Sequence, residues 1–249
     1  MYRILCFLFF LSYSPLFVSL SNSTRLYVSA SSSDDCNLAS FSKTDTWKEG
    51  TNCCSWDGVT CNRVTDLVIG LDLSCSGLYG TIDSNSSLFL LPHLRRLNLA
   101  FNDFNKMTHL NLSFSGFSLH CTCSKPNKVA ETSSTRFPDD DLQLPNLKVL
   151  KLKGNHDLSG NFPKFNESNS MLLLDLSSTN FSGELPSSIG IPNSLESLDL
   201  SFTNFSGELP SSIGSLKSLE SLDLSSTQFS GSFLFGSLAA ISRVPFPRC

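Results

Sequence analysis

Two stretches of the chain are almost identical: Leu174-Asp-Leu-Ser-Ser-Thr-Asn-Phe-Ser-Gly-Glu-Leu-Pro-Ser-Ser-Ile-Gly190 and Leu198-Asp-Leu-Ser-Phe-Thr-Asn-Phe-Ser-Gly-Glu-Leu-Pro-Ser-Ser-Ile-Gly214. They begin 24 residues apart and differ at one position. The cores Leu150-Lys-Leu and Leu222-Asp-Leu continue the same 24-residue spacing on either side. Self-similarity at a fixed period of this length predicts a stack of repeated units that share one core.

Further L-x-L cores begin at Leu71, Leu97 and Leu110, which makes seven in all. The two leucines of such a short strand point to one face, and their neighbours point to the other. Strands stacked in parallel bond their backbones to the next unit and cover its leucines. An Asn or Thr after the strand turns the chain inward and can bond the buried backbone. These turn residues are Asn102, Asn155, Thr179, Thr203 and Thr227.

The spacing of the cores fails in the middle of the chain. Only 13 residues separate Leu97 from Leu110, fewer than a unit of this kind needs, and 40 separate Leu110 from Leu150. Residues 119–141 carry no repeat pattern. This stretch is either an island that leaves the stack or degenerate repeat sequence, and we favour the second interpretation.

The first residues have the composition of a secretory signal. Arg3 precedes an interrupted apolar run over residues 4–18, and the small residues Ser19 and Ser21 stand at its exit. This order predicts a signal peptide over residues 1–21. A membrane anchor is the weaker interpretation, because Pro and Ser interrupt a run already shorter than the ~20 residues of a spanning helix.

Composition agrees with secretion. Of nine cysteines, eight remain after removal of the signal, as suits an oxidising compartment. The net charge of −4 is spread without long runs, which excludes the basic footprint of a nucleic-acid-binding protein. Six N-x-[ST] acceptors occur, the first at Asn22. The other five are the candidate N-glycosylation sites: Asn85, Asn111, Asn166, Asn180 and Asn204.

A cysteine-rich segment, Trp47-Lys-Glu-Gly-Thr-Asn-Cys-Cys-Ser-Trp-Asp-Gly-Val-Thr-Cys61, precedes the first repeat. With the repeat form L-x-x-L-x-L-x-x-[N/T]-x-[F/L]-S-G-x-[L/I]-P, it makes residues 47–231 resemble plant leucine-rich-repeat receptor-like proteins of the disease-resistance type. The resemblance implies an α/β leucine-rich-repeat solenoid. Its short parallel strands would form the concave face, opposite a mostly irregular or 3₁₀ convex side, and a disulfide-pinned N-terminal cap would cover one end. The repeat pattern ends at residue 231 without a C-terminal cap or spanning helix, so we expect a truncated member of the group.

The resemblance also implies the disulfides of the cap. It pairs Cys54 with Cys61 and joins Cys53 to an upstream cysteine, for which Cys36 is the candidate. The apolar cap helix of the group is missing ahead of Cys36, so that second pairing stays open. The partners of the remaining cysteines also stay open: Cys75, Cys121, Cys123 and Cys249.

We therefore expect six segments in the chain. They are a signal peptide at 1–21, an N-terminal cysteine cap at 22–66, leucine-rich repeats at 67–118, an irregular segment at 119–141, leucine-rich repeats at 142–231 and a non-repeat tail at 232–249.

Solenoids of this kind usually bind partners on the concave sheet. The predicted contacts are residues that depart from the repeated Asp-Leu-Ser pattern: Phe101, Lys151, Lys153 and Phe202. The resemblance implies pathogen perception and defence, with a protein or peptide ligand and a receptor-kinase co-receptor. The alternative is a secreted protein similar to polygalacturonase inhibitors, which use the same cap and repeats without a membrane anchor.

Catalytic chemistry has no support in the sequence. The chain has no G-x-S-x-G, H-E-x-x-H or phosphate-loop motif, and its four histidines lie in no catalytic spacing. His120 with Cys121 and Cys123 lacks a clear fourth ligand, so no metal or other cofactor is predicted. The expected location is the apoplast, or the plasma membrane for a form that carries an anchor.

Overall fold

The computed structural model describes residues 36, 43–48, 50–82, 91–107, 110–111, 142–144, 146–163, 165 and 169–230. Fifteen short strands form three sheets in this part of the chain. In chain order they are β1 (Val59–Cys61), β2 (Val68–Asp72), β3 (Tyr79–Ile82), β4 (Arg96–Asn98), β5 (Asp103–Met107), β6 (Leu110–Asn111), β7 (Leu142–Gln143), β8 (Val149–Lys151), β9 (Ser159–Gly160), β10 (Leu173–Asp175), β11 (Asn180–Gly183), β12 (Ser197–Asp199), β13 (Asn204–Glu208), β14 (Ser221–Asp223) and β15 (Gln228–Ser230).

The first sheet has the order β1-β2-β4-β8-β10-β12-β14, and all its pairs are parallel except β1 with β2. We call the units that begin at β2, β4, β8, β10, β12 and β14 coils 1 to 6. The first leucine of each L-x-L core aligns with that of the next, from Leu71 to Leu222. These six leucines are at most 3% exposed. Inward leucines thus form an unbroken ladder, as the repeat predicted.

One of the seven predicted cores is wrong. Leu97 pairs directly with Leu150, although 53 residues separate them, 29 more than the 24-residue repeat. Leu110 lies in β6, whose partner is β7 rather than a strand of the first sheet. Because β4 and β8 are neighbours in register, no coil lies between them. The extra residues therefore belong to coil 2. Residues 112–141, which include the predicted irregular segment 119–141, lie outside the described residues, so its interpretation as degenerate repeat sequence stays a prediction.

The opposite side of the stack contains more regular structure than the sequence indicated. A second parallel sheet, with the order β15-β13-β11-β9-β5-β3, runs along it. The segments after the turns, which include Asn-Phe-Ser-Gly in β11 and β13, are extended, so their backbones bond to the next coil. Phe104, Phe181 and Phe205 point inward there and are at most 1% exposed. The expected 3₁₀ turns are present at Ser187–Gly190 and Ser211–Ser215, each after a proline.

Buried side chains between the two sheets satisfy the turns. Asn155 donates to the carbonyls of Leu152 in its own coil (2.7 Å) and Leu99 in the preceding coil (3.0 Å), and accepts from the Phe104 amide (3.3 Å). Asn102 likewise donates to the Leu73 carbonyl of the coil before it (2.9 Å). Asparagine therefore joins neighbouring coils as well as closing its own turn.

Threonine bonds only the backbone of its own coil. Thr179, Thr203 and Thr227 each donate to the carbonyl three residues earlier at 2.6 Å, and none bonds a preceding coil. A hydroxyl has one proton to donate, whereas an amide has two donors and an acceptor. The coils that carry threonine thus depend more on backbone pairing and leucine packing.

The cap covers the open end of coil 1. Strand β1 pairs with β2 in the antiparallel direction, so the edge of the first sheet does not expose β2. Trp47 and Trp56 stack with ring centroids 5.3 Å apart, and Trp47 packs against the leucine core. Lys43 forms an ion pair with Asp72 at 2.7 Å across the junction. The tryptophans therefore pack the cap rather than form an external surface.

Disulfides fix the cap at two points. One joins Cys54 to Cys61, the pair that the resemblance implies, with Cα atoms 5.5 Å apart. The other joins Cys36 to Cys75, at a Cα separation of 5.9 Å, so the candidate pairing of Cys36 with Cys53 is wrong. Cys53 is itself disulfide-bonded. Because Cys75 lies at the corner after β2, the second bridge ties the N-terminal part of the cap directly to coil 1.

We predict that the amide of Asn155 supports the stack between coils. Asn155→Ala should lower the free energy of unfolding by about 2–4 kcal/mol, because it leaves buried backbone groups without partners. Asn155→Thr should cost less, since a hydroxyl can still bond the Leu152 carbonyl as Thr179 bonds Leu176. Denaturant unfolding of the purified chain measures both.

The matched control is Asp157→Ala, at an exposed position two residues away. Its effect should stay within about 0.5 kcal/mol. An Asn155→Ala protein as stable as this control would show that side-chain bonds between coils do not support the stack.

Candidate functional site

The outward side chains of the first sheet form the candidate site. We call this surface the concave face and define it by the two residues before each inward leucine, the residue after it and the residue at the corner after each strand. The backbone beneath it is set by the ladder, so successive coils place equivalent residues in register. Adjacent strands lie ~4.8 Å apart, which makes the face a row of aligned columns.

The central column, formed by the residue after the first leucine of each core, mainly supports the backbone. Asp175 and Asp199 each accept from the amide and hydroxyl of the serine two residues on, at 2.6–3.0 Å. Asp223 accepts from the Ser225 amide at 2.8 Å. This Asx turn starts the corner of each of these coils. Asn98 holds the Ala100 amide in the same way (3.1 Å), so the turn needs an oxygen acceptor but no charge.

Three carboxylates of this column face one another. Asp175, Asp199 and Asp223 are direct register partners across β10, β12 and β14. Partial burial raises the pKa of Asp199, and its two charged neighbours raise it further, against the lowering effect of the hydrogen bonds from Ser201. Like charges directly opposite on a sheet are destabilising. The acidic ladder is therefore held in place at an electrostatic cost.

Asp72 occupies the same column in coil 1 but has the opposite environment. Its partial burial acts to raise its pKa, and hydrogen bonds from Lys43 and Ser74, with the Lys43 charge, outweigh that effect and lower it to about 2. Lys43 of the cap thus balances the negative charge of the ionised Asp72 carboxylate at the N-terminal end of the face.

The corner after each strand requires left-handed backbone. The residues there have φ between 53° and 72°: Cys75, Phe101, Gly154, Ser178, Phe202 and Ser226. A side chain in this region costs about 1–2 kcal/mol. The amide of each of the first five donates to the next coil, as Phe202 does to the Ser225 carbonyl at 2.9 Å. In coils 1 to 5 this repeated inter-coil bond supports the corner conformation.

Phe101 and Phe202 share this corner position but differ in their surroundings. The Phe101 ring lies under the Lys153 ammonium, 5.5 Å from its centroid, and against Gly154. A Cβ on Gly154 would be 2.5 Å from Phe101 Cδ1, so this contact requires glycine. Phe202 has serines as its neighbours along the column and is 62% exposed. Of the predicted contacts, Phe101 and Lys153 thus pack on each other, whereas Phe202 presents an open aromatic surface.

The charges of the face change sign along the stack. Coils 2 and 3 carry basic residues, and coils 4 to 6 carry acidic ones. The basic strip consists of Arg95, Arg96, Lys148 and Lys151. The acidic strip consists of Asp175, Glu196, Asp199, Glu220 and Asp223. Lys151 was predicted from sequence; the arginines and glutamates were missed, although their alignment just before each strand was visible in the repeat.

The glycosylation candidates divide between described and undescribed parts. Asn180 and Asn204 are exposed at the start of β11 and β13, with the Asn204 amide donating to Asn180 Oδ1 at 2.5 Å. Gln228 in the next coil donates to Asn204 Oδ1 at 3.4 Å. Asn111 lies in β6. Asn85 and Asn166 lie outside the described residues, as does the predicted signal peptide.

Metal ligands come together at one place in the described residues, where the sulfurs of Cys53, Cys54 and Cys61 lie within 4.8 Å of one another. All three are in disulfides, so none offers a thiolate. His120, Cys121 and Cys123, for which no metal was predicted, lie outside the described residues. Within the described ranges, no helix is both long and apolar enough to cross a membrane.

Comparison with known families agrees with this architecture. The chain matches the leucine rich repeat N-terminal domain over residues 30–62 and leucine rich repeats over residues 91–106, 170–190 and 194–216. The fold is that of a leucine-rich-repeat solenoid with a disulfide-bonded N-terminal cap.

Its sequence is similar to those of plant receptor-like proteins. It is 32% identical to Receptor-like protein 6 of Arabidopsis thaliana in an alignment 231 positions long that covers 61% of this chain and 23% of that protein. It is 36% identical to the Receptor-like protein Cf-9 homolog of Solanum lycopersicum over 158 residues, which cover 62% of this chain and 18% of that protein. The chain thus spans about a fifth of the length of these relatives.

A solved structure supports the same grouping. The ectodomain of the Arabidopsis receptor kinase HAESA, in complex with an IDA peptide hormone ligand, matches with a TM-score of 0.58 and 28% identity over 82% of this chain and 30% of that one. The predicted resemblance to receptor-like proteins is confirmed. The receptor-like proteins and ectodomains that the chain resembles bind ligands rather than catalyse reactions, in agreement with the prediction of a non-catalytic protein. They give no support to the polygalacturonase-inhibitor alternative.

We predict that Asp199→Asn stabilises the folded chain near neutral pH by about 0.5 kcal/mol. The amide keeps the acceptor of the Asx turn, as Asn98 does, and removes the central charge of the ladder. A raised pKa in the folded state means that ionisation of Asp199 weakens folding as pH rises above the ordinary value of 3.8. The gain should therefore be present near neutral pH and disappear below pH 3.8.

Denaturant unfolding at these two pH values checks the prediction. Asp157→Asn, which removes one exposed charge away from the ladder, serves as the control. A gain from Asp199→Asn that persists unchanged in acid would contradict an electrostatic origin.

Proposed function

We propose that this chain is an extracellular ligand-recognition module that acts in plant pathogen perception and defence. It binds a protein or peptide ligand, pathogen-derived, on the concave face. The single observation that carries the proposal is Phe202, a 62% exposed aromatic ring held in left-handed backbone on the outward side of a rigid sheet. Exposed aromatic side chains on such rigid supports commonly anchor partners.

The comparisons supply the biological setting of the proposal. The sequence relatives are receptor-like proteins, and the HAESA ectodomain was solved with a peptide hormone. A shared fold alone does not transfer a ligand, so the proposal depends on the face of this chain. Two features make the face suitable for binding a ligand. Its columns are fixed in register, and its basic and acidic residues are grouped in separate regions.

Signalling would then pass to a receptor-kinase co-receptor, as the similarity to receptor-like proteins suggests. A partner of this kind needs a surface that stays accessible while the concave face holds ligand. Ligand-dependent co-purification of a receptor kinase from plant membranes tests this step. Recovery of the same kinase in equal amount with and without ligand would contradict it.

The proposed location rests on the predicted signal peptide and the exposed acceptors Asn180 and Asn204. A glycan replaces one amide hydrogen of asparagine, so Asn204 keeps a second hydrogen for the bond to Asn180. Glycans on these two positions would stand on adjacent coils, away from the concave face. They would leave that face open to ligand.

We predict that the full chain, expressed in plant cells, appears in the apoplast or at the plasma membrane with residues 1–21 removed. Enzymatic deglycosylation should increase its electrophoretic mobility, and Asn180→Gln with Asn204→Gln should reduce that change. N-terminal sequencing and immunoblotting measure both. Retention in the cytosol with an intact N-terminus would contradict the proposed location.

We predict that Phe202 contributes directly to ligand binding. A random peptide library selected on the purified full chain should enrich peptides that lose about tenfold or more of their affinity for Phe202→Ser. Serine already occupies the same corner at Ser178 and Ser226, with the same positive φ, so this change preserves the backbone. Binding is measured by fluorescence anisotropy.

The matched control is Ser211→Ala, an exposed position in a 3₁₀ turn of the opposite side. It should leave the affinity unchanged. Enriched peptides that bind Phe202→Ser like the parent but lose affinity for Ser211→Ala would place the binding surface elsewhere.

A further inference from the structure

The concave face carries its charges in two blocks, and both blocks extend over two columns. Just before the strands, Arg95 and Lys148 in coils 2 and 3 give way to Glu196 and Glu220 in coils 5 and 6. Within the strands, Lys151 in coil 3 gives way to Asp175, Asp199 and Asp223 in coils 4 to 6. Two columns that change sign in the same direction along the stack define a surface with a basic end and an acidic end.

Within the described part of the chain, little neutralises these two ends. Among the described residues, the single ion pair between charged side chains is Lys43 with Asp72, in the cap and coil 1. Lys151 and Asp175 are register partners at the boundary, but no ion pair joins them in the described part. The acidic ladder instead leaves three like charges opposite one another. A partner that brings cations to this end would relieve that repulsion.

The dimensions of the face determine the size of its partner. The strands of coil 2 and coil 6 are separated by four strand spacings, which is about 19 Å. The centres of the basic and acidic strips are about 12 Å apart on the same spacing, more than the ~8 Å Debye length at physiological salt. Each strip therefore acts as a separate charge in solution. An extended peptide of about six residues spans the whole distance.

The sign change also excludes uniformly charged partners. An anionic polysaccharide or acidic tail that lay along the stack would gain at coils 2 and 3 and be repelled at coils 4 to 6. A cationic segment would meet the reverse. A chain with its charges sorted into two blocks is attracted at both ends, and such complementarity sets orientation and rejects mismatched partners.

We propose that the concave face binds an extended peptide segment whose acidic half lies over coils 2 and 3 and whose basic half lies over coils 4 to 6. This inference rests on the proposed function and specifies the ligand class of the same surface. Phe202 in coil 5 stands beside the acidic strip, so an apolar side chain of the basic half contacts its ring.

The probes are synthetic peptides of about ten residues with an Asp half and a Lys half joined by Gly, in both orders, and a peptide of the same composition with alternating Asp and Lys. The full chain should bind at least one block peptide about tenfold more tightly than the alternating peptide. Fluorescence anisotropy at physiological ionic strength measures the ratio. Equal affinity for the alternating peptide, or for an oligogalacturonate of similar length, overturns the proposal.

The acidic strip can be neutralised without altering its turns, because Asn98 shows that an amide supports them. The combined change Asp175→Asn, Asp199→Asn and Asp223→Asn should reduce block-peptide affinity to that of the alternating peptide. Asp157→Asn, Glu184→Gln and Glu208→Gln remove the same number of exposed charges outside the acidic strip and should leave the preference intact. Equal losses of block-peptide affinity in the two triple variants would mean that binding depends on net charge alone, which overturns the proposal.

Carbodiimide coupling tests the orientation directly, since it joins carboxylates to amines in contact. The acidic half of the block peptide should couple to Lys148 or Lys151, and the basic half to acidic-strip residues, as identified by mass spectrometry. Coupling of the acidic half to the cap or the opposite side overturns the assigned orientation.

The two proposals fail in different ways. Library-selected peptides that depend on Phe202 but show no charge order would overturn the sorted-charge ligand and leave concave-face recognition standing. Loss of Phe202-dependent binding for every selected peptide would remove the proposed function itself.

Discussion

The structure depends on parallel backbone pairing between coils in one fixed register. An inward leucine of one coil is covered only by the coils on either side, so no unit is stable alone. In-register pairing aligns Leu71 through Leu222 into a single buried ladder. A shift of one residue would turn every leucine outward, which fixes the register strongly. The same constraint aligns the outward side chains and thereby creates the columns of the concave face.

Periodicity alone predicts a large part of the fold. The strands, the inward leucines and the role of the Asn or Thr after each strand all result from a 24-residue repeat with one residue type at each position. Periodicity failed at Leu110, because an L-x-L triplet forms a coil only where a neighbouring strand pairs with it. The second sheet was also missed, since its Asn-Phe-Ser-Gly segments pair through backbone groups that leave no strand-like alternation in the sequence.

The candidate site was predicted in position but not in detail. Phe101 and Phe202 are equivalent in the repeat, and only the next coil distinguishes them: Gly154 and Lys153 cover one ring, whereas serines leave the other open. The Cys36–Cys75 bridge was likewise invisible in the sequence, because it joins the N-terminal part of the cap to a corner of coil 1. Contacts between neighbouring coils depend on which coils are adjacent in the stack. The sequence reveals this only when the register of strand pairing is known.

At the Asx turn, one residue supplies both the oxygen acceptor for the backbone and the charge on the face, and these two properties can vary independently. The turn requires an oxygen acceptor, and both Asn98 and Asp199 provide one; coil 3 carries Lys151 in that column and keeps its place in the ladder. The electrostatic character of each step can thus vary by single substitutions while the backbone beneath stays the same. A gene that duplicates and diverges could therefore explore new binding preferences one coil at a time, with each intermediate remaining folded.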